Sequence, residues 1–135
     1  MEMLNRLQPY ALSILRIMAG LLFMQHGLVK LFGFPSGAGF PAFLSLPWFE
    51  GCIEVIGGGL IAVGLWTRFA AFITSGEMAI GYFMAHAPKS FFPYVNGGNL
   101  AVLYCFVFFY LIFAGSGPIS VDALLSKAEG RSSAT

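Results

Sequence analysis

Four long apolar stretches run through this chain, at residues 10–32, 48–66, 69–87 and 99–115, and ionisable residues interrupt three of them. Each stretch is close to the roughly 20 residues that a bilayer-spanning helix needs. A lone charge at the centre of a bilayer costs roughly 2.5 to 3.5 kcal/mol, so it persists only where it is paired, hydrated or functional. The pattern therefore predicts a membrane protein with a polar interior.

The composition favours the same class and a single domain. Hydrophobic residues make up 58% and charged residues 10% of the 135 residues, whereas soluble domains carry about 25% charged residues. Mean hydropathy is +0.81. We predict an all-α fold, with one domain over residues 1–135 built as an integral membrane four-helix bundle of antiparallel up-down topology. A polar tail is expected at 116–135, with a short interfacial helix at 122–126 and disorder from 130 to 135.

Basic residues near the helix ends predict the orientation, because Lys and Arg are retained on the cytoplasmic side. Four helices place both termini on one side. That side carries four basic residues, namely Arg6, Arg68, Lys127 and Arg131, and the other side carries Lys89 and the border residue Lys30. We expect a multi-pass protein of the bacterial inner membrane with both termini cytoplasmic. Arg16 interrupts the first apolar stretch, which argues against a cleavable signal peptide.

Arg16 and Glu77 are expected to lie at similar depths in the membrane. Counting from the cytoplasmic ends of their helices, they lie about 10 and 12 Å in, at 1.5 Å per residue. Arginine pairs with carboxylates through a bidentate fork. We predict an intramembrane ion pair between these two residues. The pair either holds the helices together without chemistry or contributes to a functional site.

A second polar layer is predicted nearer the outer side, where His26, Lys30, Glu50 and Glu54 fall on helix faces that also carry glycine. Helical spacing places His26 beside Lys30, at i and i+4. Glycine beside a carboxylate leaves space for a ligand, and histidine titrates near physiological pH. These four residues are the candidates for ligand binding or proton handling. The alternative is a purely structural layer, and His86 is interpreted as an interfacial residue.

Other chemistry has weaker support in the sequence. Cys52 and Cys105 are a possible redox pair, but they do not form a C-x-x-C motif, and buried cysteines are usually inert. We predict no metal site, because the two histidines are far apart and have no partner at ligand spacing. No phosphate loop or nucleic-acid patch is present. No cofactor is evident, apart from a quinone or lipid that the polar layer could bind.

Four sequence motifs resemble those of the DoxX family of small bacterial membrane proteins. They are R-x3-G-x2-F-x2-H-G-x2-K-L-F-G at 16–33, E-x2-G-G-x-L at 54–60, G-L-x-T-R-x-A-A at 64–71 and N-G-G at 96–98. The chain departs from the family pattern at Asn99, where an acidic residue is expected after N-G-G. The resemblance implies a four-helix membrane bundle, with relatives linked to thiosulfate:quinone oxidoreductase or to membrane complexes that handle oxidative stress.

Three functions follow as alternatives. The first is the membrane subunit of a redox assembly, quinone-linked or related to oxidative stress, in which the polar layer binds a lipophilic redox ligand. Because no flavin, haem or iron–sulfur motif is visible, any oxidoreductase activity would take its electrons from a soluble or membrane partner. The second is a non-enzymatic protein that binds lipid or assembles with a partner. The third is a small-solute transporter, which four short helices would form only as a homo-oligomer.

Overall fold

The computed structural model describes residues 1–37 and 39–132, and this part of the chain is helical without strands. The six α-helices are α1 (Glu2–Phe32), α2 (Leu46–Val63), α3 (Thr67–Gly81), α4 (Pro93–Asn96), α5 (Asn99–Ala114) and α6 (Val121–Ser132). A π-helical turn, Tyr82–His86, continues α3 without a break. The all-α class is confirmed.

Two helices, α1 and α2, are long and apolar enough to cross a membrane, and α5 is a shorter apolar helix. Large apolar side chains lie on the outside: Phe72 and Phe106, for example, are 62% and 65% exposed. Polar side chains lie inside, because Arg16 and Thr74 are fully buried. This distribution is the reverse of that in a water-soluble protein and suits a bilayer.

Glycines set the close approach of α1 and α2. A Cβ atom on Gly20 would lie 2.8 Å from the carbonyl oxygen of Gly58, and one on Gly27 would lie 2.7 Å from that of Gly51. The two backbones therefore touch at points where no side chain fits. Small residues at such crossings are the usual means by which helices pack within membranes.

The second close pair is α3 with α5, while α2 also contacts α3 and α1 also contacts α5. The four longer helices up to residue 114 therefore enclose one interior. Its apolar part contains Phe23, Ile61, Phe108 and Leu111, each no more than 1% exposed. Rings from α1 and α5 meet there edge to face, with centroids of Phe23 and Phe108 4.9 Å apart.

The helix bounds differ from the predicted ones at both ends of the chain. Helix α1 begins at Glu2 rather than at residue 10 and contains Pro9. The prediction followed the apolar run, whereas the helix continues through an exposed polar segment. The expectation of disorder from residue 130 is wrong for 130–132, which belong to α6. Residues 133–135 of the predicted disordered segment lie outside the described residues.

Candidate functional site

Lys30, in the last turn of α1, lies between two carboxylates of α2. Its Nζ is 2.8 Å from Glu54 Oε1 and 3.2 Å from Glu50 Oε2. The two acids are four residues apart, so they share one face of α2 and reach the same ammonium group. The structure thus brings together three of the four residues proposed for the outer polar layer.

Glu54 is the most deeply buried of these groups, with 3% of the residue exposed. Its Oε1 accepts the bond from Lys30, while its Oε2 is buried without a hydrogen-bond partner among the described residues. A buried acceptor left unpaired costs roughly 1 to 3 kcal/mol. Such an atom beside a cavity therefore marks a place where a ligand donor is favoured.

The cavity beside Glu54 is here called the polar pocket and has a volume of about 230 Å³. Residues of α1, α2, α3, the π turn and α5 surround it. Its polar walls are His26, Lys30, Glu54, His86 and Tyr104, and its apolar walls include Phe23, Met78 and Leu100. His26, the fourth residue of the predicted layer, therefore lines the same space as Lys30 and Glu54.

His86 reaches this pocket because of the π turn. A π turn closes an i→i+5 bond, seen here from the Ala87 N–H to the Tyr82 carbonyl oxygen at 2.9 Å. Each residue of a π turn rotates the chain by a smaller angle than a residue of an α-helix does. His86 therefore faces the same interior as Met78. The interpretation of His86 as an interfacial residue is therefore incomplete, since its ring lines the polar pocket.

Asn96 fixes the orientation of the His86 ring. The Nδ1 of His86 lies 3.1 Å from the Asn96 carbonyl oxygen. A carbonyl only accepts, so Nδ1 carries the hydrogen, and Nε2 of the neutral ring is left as an acceptor. The side chain of Asn96 donates to Tyr82 Oη at 3.1 Å and to the Ser90 carbonyl at 2.9 Å. The segment before α5 thus forms one wall of the pocket.

Aromatic rings form the floor of the pocket. Tyr104 packs edge to face with His26 at a centroid distance of 5.9 Å and with Phe23 at 5.3 Å. Such edge contacts hold rings in defined orientations. The pocket therefore combines flat aromatic surfaces with hydrogen-bonding side chains, an arrangement suited to a small planar ligand.

The predicted ion pair between Arg16 and Glu77 does not form. Arg16 instead donates to four backbone carbonyls, those of Ile61, Ala62, Ser116 and Ile119. Two of these carbonyls lie in the last turn of α2, where helices lack i+4 donors, and that of Ile61 also accepts from the Gly64 N–H at 3.2 Å. The negative end of the helix dipole also attracts the cation. Arg16 is therefore a structural cap that joins α1 to α2 and to the segment after α5.

Glu77 lies elsewhere, facing the outer layer. Both of its carboxylate oxygens are buried without a hydrogen-bond partner in the described ranges. Lys30 bonds Glu50 and Glu54 but not Glu77. One ammonium group therefore pairs with two of the three carboxylates, and the third is buried without a partner among the described residues.

Both cysteines are free thiols. Cys52 lines a shallow groove between α2 and α3, whereas Cys105 Sγ lies 3.6 Å from Ser75 Oγ on α3. The two cysteines of the proposed redox pair are not bonded to each other, and they lie in different surroundings. Within residues 1–37 and 39–132, no cluster of three or more His, Cys, Asp or Glu residues is placed to hold a metal ion.

Comparison with known proteins identifies the family. The DoxX family model matches residues 11–87, more than half of the chain. The chain belongs to the DoxX family. It is therefore a membrane protein, as the apolar exterior indicates.

Two relatives align over most of their length with this DoxX protein. An uncharacterized protein of Haemophilus influenzae is 42% identical over 132 residues, which cover 90% of this chain and 96% of the relative. The Bacillus subtilis protein named "Putative oxidoreductase CatD" is 28% identical over 120 residues, covering 86% and 87%. No solved structure shows significant similarity to the chain.

The family-like motif at residues 64–71 has a structural explanation in this chain. Gly64 ends α2 with φ of 74°, and a Cβ there would lie 2.7 Å from Arg16 Nη1. Arg68 donates to the carbonyls of Ile112 and Phe113 at 2.7 Å each, near the end of α5. The motif therefore joins helix ends, with Gly64 packed against Arg16 and Arg68 bonded to the end of α5.

Proposed function

We propose that this DoxX protein is the membrane subunit of a redox assembly and that its polar pocket binds a quinone or a related lipophilic ring. The observation that carries this proposal is a pocket walled by aromatic rings, two histidines and Glu54, whose Oε2 has no partner among the described residues. A ring with oxygen substituents suits these walls, since its faces pack on Phe23 and Tyr104 and its oxygens bond to the polar side chains.

The residues of the pocket have separate roles in this proposal. His26 and Tyr104 donate hydrogen bonds to ring oxygens, and Glu54 accepts one from a ring hydroxyl. One lysine cannot neutralise three carboxylates in a low-dielectric interior, so at least one of Glu50, Glu54 and Glu77 holds a proton. That proton is available when the ring is reduced, and the group regains it when the ring is oxidised.

Electrons reach the pocket from a partner oxidoreductase in this proposal. The name of the Bacillus subtilis relative is consistent with an oxidoreductase assembly. A quinone that takes up two electrons also takes up two protons. The protonated carboxyl group supplies one of them and water at the membrane surface supplies the other, and Glu54 is the carboxyl group that lines the pocket. This chain then supplies the binding site and one proton, while the partner supplies the reducing equivalents.

We further propose that α1, α2, α3 with its π turn, and α5 all cross the bacterial inner membrane as an antiparallel four-helix bundle. Helix α3 has 15 residues and the π turn adds five, which together approach the roughly 20 needed. The termini are then cytoplasmic, with α6 on the cytoplasmic surface. The positive-inside distribution of Arg and Lys supports this orientation.

A thermal-shift measurement in detergent tests the proposed ligand. A ligand that binds only the native state raises the melting temperature, so a benzoquinone with an alkyl tail should stabilise the wild type. His26→Ala should lose this stabilisation while its own melting temperature stays close to that of the wild type. Phe106→Ala is the control, because Phe106 is 65% exposed on α5 and does not line the polar pocket. A wild type that no quinone stabilises defeats the proposal.

A second function is favoured by a separate feature of the surface. An apolar groove of about 730 Å³ lies between α2, α3 and α5, lined by residues such as Phe49, Phe72 and Phe113. Such a groove suits a lipid chain or the helix of a partner, as in a non-enzymatic assembly protein. Co-purification separates the two functions: a partner without redox activity supports assembly, and a bound quinone supports the redox subunit.

A further inference from the structure

A second cavity adjoins the polar pocket at the seam between α1 and α5. It has a volume of about 310 Å³. It shares His26, Leu100 and Tyr104 with the polar pocket and adds Leu22, Gln25 and Val29 of α1. The shared walls show that the two spaces are neighbours separated by little more than the His26 and Tyr104 rings.

The seam is also the loosest contact among the neighbouring long helices. Helix α1 touches α5 along a much shorter stretch than it touches α2, and α3 packs closely on α5. Leu22 and Leu100, which face each other across the seam, are 48% and 47% exposed. His26 is exposed as well, although it lines the polar pocket. The second cavity therefore opens sideways, onto the outer surface of the molecule.

That side opening lies at the depth of the lipid chains. Leu22 is ten residues before the end of α1 at Phe32, or about 15 Å along the helix axis at 1.5 Å per residue. The hydrocarbon core of a bilayer is about 30 Å thick. With α1 spanning the bilayer as proposed, the opening at Leu22 therefore faces the lipid chains, and its other end at Val29 lies near the helix terminus.

We infer that the seam between α1 and α5 is the lateral entrance of the polar pocket and the channel for the tail of its ligand. This inference rests on the function proposed above and adds the class of ligand. The ligand is an amphipathic lipid with a single-ring polar head in the polar pocket. Its apolar tail lies along Leu22, Val29 and Leu100 and continues into the bilayer.

The sizes and surfaces of the two cavities support the placement of the polar head in the polar pocket and of the tail in the seam. A volume of about 230 Å³ lies below the roughly 300 to 1,000 Å³ of sites for drug-sized ligands, so it holds one ring and leaves no room for a tail. The seam includes the aliphatic side chains of Leu22, Val29 and Leu100, and a methylene tail packs against them through dispersion contacts. A water-soluble ligand would use neither the aliphatic walls nor the side opening.

The test compares two ligands that share one head, a dimethoxy-methyl-benzoquinone without a tail and the same ring with a decyl tail. Leu22→Trp fills the seam without touching the polar pocket. We expect it to weaken binding of the tailed quinone about tenfold, because the indole fills the space of the tail and removes its dispersion contacts. Binding of the tailless ring should change little. Phe106→Trp is the control, because Phe106 is 65% exposed on α5 and lines neither cavity.

Photo-crosslinking of the wild type provides a second measurement that needs no variant. A tailed quinone with a photoreactive group in its tail should label α1 near Leu22 to Val29 and α5 near Leu100. Labelling of the groove around Phe72, or equal binding of the tailed ring to Leu22→Trp and wild type, overturns the lateral entrance alone. A wild type that binds neither quinone overturns the proposed function together with the entrance.

Discussion

Arg16 illustrates how a buried charge is stabilised by backbone in this protein. Its Nη1 donates to the Ile61 and Ala62 carbonyls at 2.6 and 2.8 Å, and its Nε donates to the Ser116 carbonyl at 2.8 Å. Hydrogen bonds to charged groups contribute roughly 1.5 to 3 kcal/mol each. Three separate segments of the chain are therefore fixed by one side chain.

The stability of Arg16 variants should follow from these bonds. Arg16→Leu leaves several carbonyls unpaired and should lower the free energy of unfolding by at least about 2 kcal/mol. Because Arg16 and Glu77 are not paired, the loss in the double variant with Glu77→Leu should be additive within about 0.5 kcal/mol. Thermal or denaturant unfolding in detergent measures all three variants. A double variant whose loss is smaller than the sum of the two single losses by more than about 0.5 kcal/mol would restore the ion pair.

Gly64 allows a second prediction at the residue scale. Gly64→Ala places a Cβ at φ of 74° and against Arg16 Nη1, so we expect a loss of about 2 kcal/mol or more. Gly76→Ala is the control, since a Cβ at that helical position meets nothing within 4 Å. Replacing glycine by alanine there should leave stability unchanged or raise it. Equal melting temperatures of the two variants would contradict the cap.

The sequence predicts part of this residue-scale arrangement. The spacing of Glu50 and Glu54 places both acids on one face, and the structure has Lys30 between them. The partners of Arg16 could not be predicted from side-chain spacing, because they are backbone carbonyls at the ends of helices. Glu77 was predicted as the partner of Arg16 because the two residues were expected at the same depth. The backbone carbonyls of Ile61 and Ala62 at the end of α2 are the acceptors instead.

At the scale of elements, α6 contributes more than a polar tail would. The Asp122 carboxylate accepts from the backbone N–H groups of Trp66 and Thr67 at 2.8 and 3.1 Å. These donors lie at the start of α3, where helices lack internal partners. Helix α6 thus caps α3 from a distance of more than fifty positions along the chain. Sequence reasoning missed this contact, because Asp122 reads as an ordinary polar residue in a tail.

Removal of this cap should be measurable. Asp122→Ala should lower the free energy of unfolding by about 0.5 to 2 kcal/mol, the usual range for a lost N-terminal cap. Glu129→Ala, an exposed change on the same helix, should have little effect. Hydrogen exchange at Trp66 and Thr67 should rise only in the first variant. Unchanged protection of those amides in Asp122→Ala would show that α6 does not cap α3.

The π turn shows why the polar pocket could be predicted only in part. His26, Lys30 and Glu54 fall on predictable helical faces, and all three line the pocket. His86 and Tyr104 were missed. A regular α-helical phase does not predict the position of His86, and no charge distinguishes Tyr104 from the other aromatic residues of α5. The fold class is visible in hydropathy, whereas the far wall of the pocket depends on one irregular turn.

At the scale of the whole molecule, the proposed topology can be tested with intact cells. In a background lacking Cys52 and Cys105, single cysteines are introduced at Ser36, between α1 and α2, and at Ser126 in α6. A membrane-impermeant maleimide should label the first and not the second, because the termini are proposed to be cytoplasmic. Both positions should react after lysis. Labelling of Ser126→Cys alone would reverse the orientation.

The proposed function requires a lipophilic ring bound beside Glu54. Native mass spectrometry of protein extracted without delipidation tests for this ligand most directly. The wild type should carry a quinone-sized adduct, and Glu54→Gln and His26→Ala should lose it while remaining folded. Phe106→Ala, at an exposed position that lines neither cavity, should retain the adduct. A wild type without such an adduct, or one kept equally by all four proteins, would contradict the account.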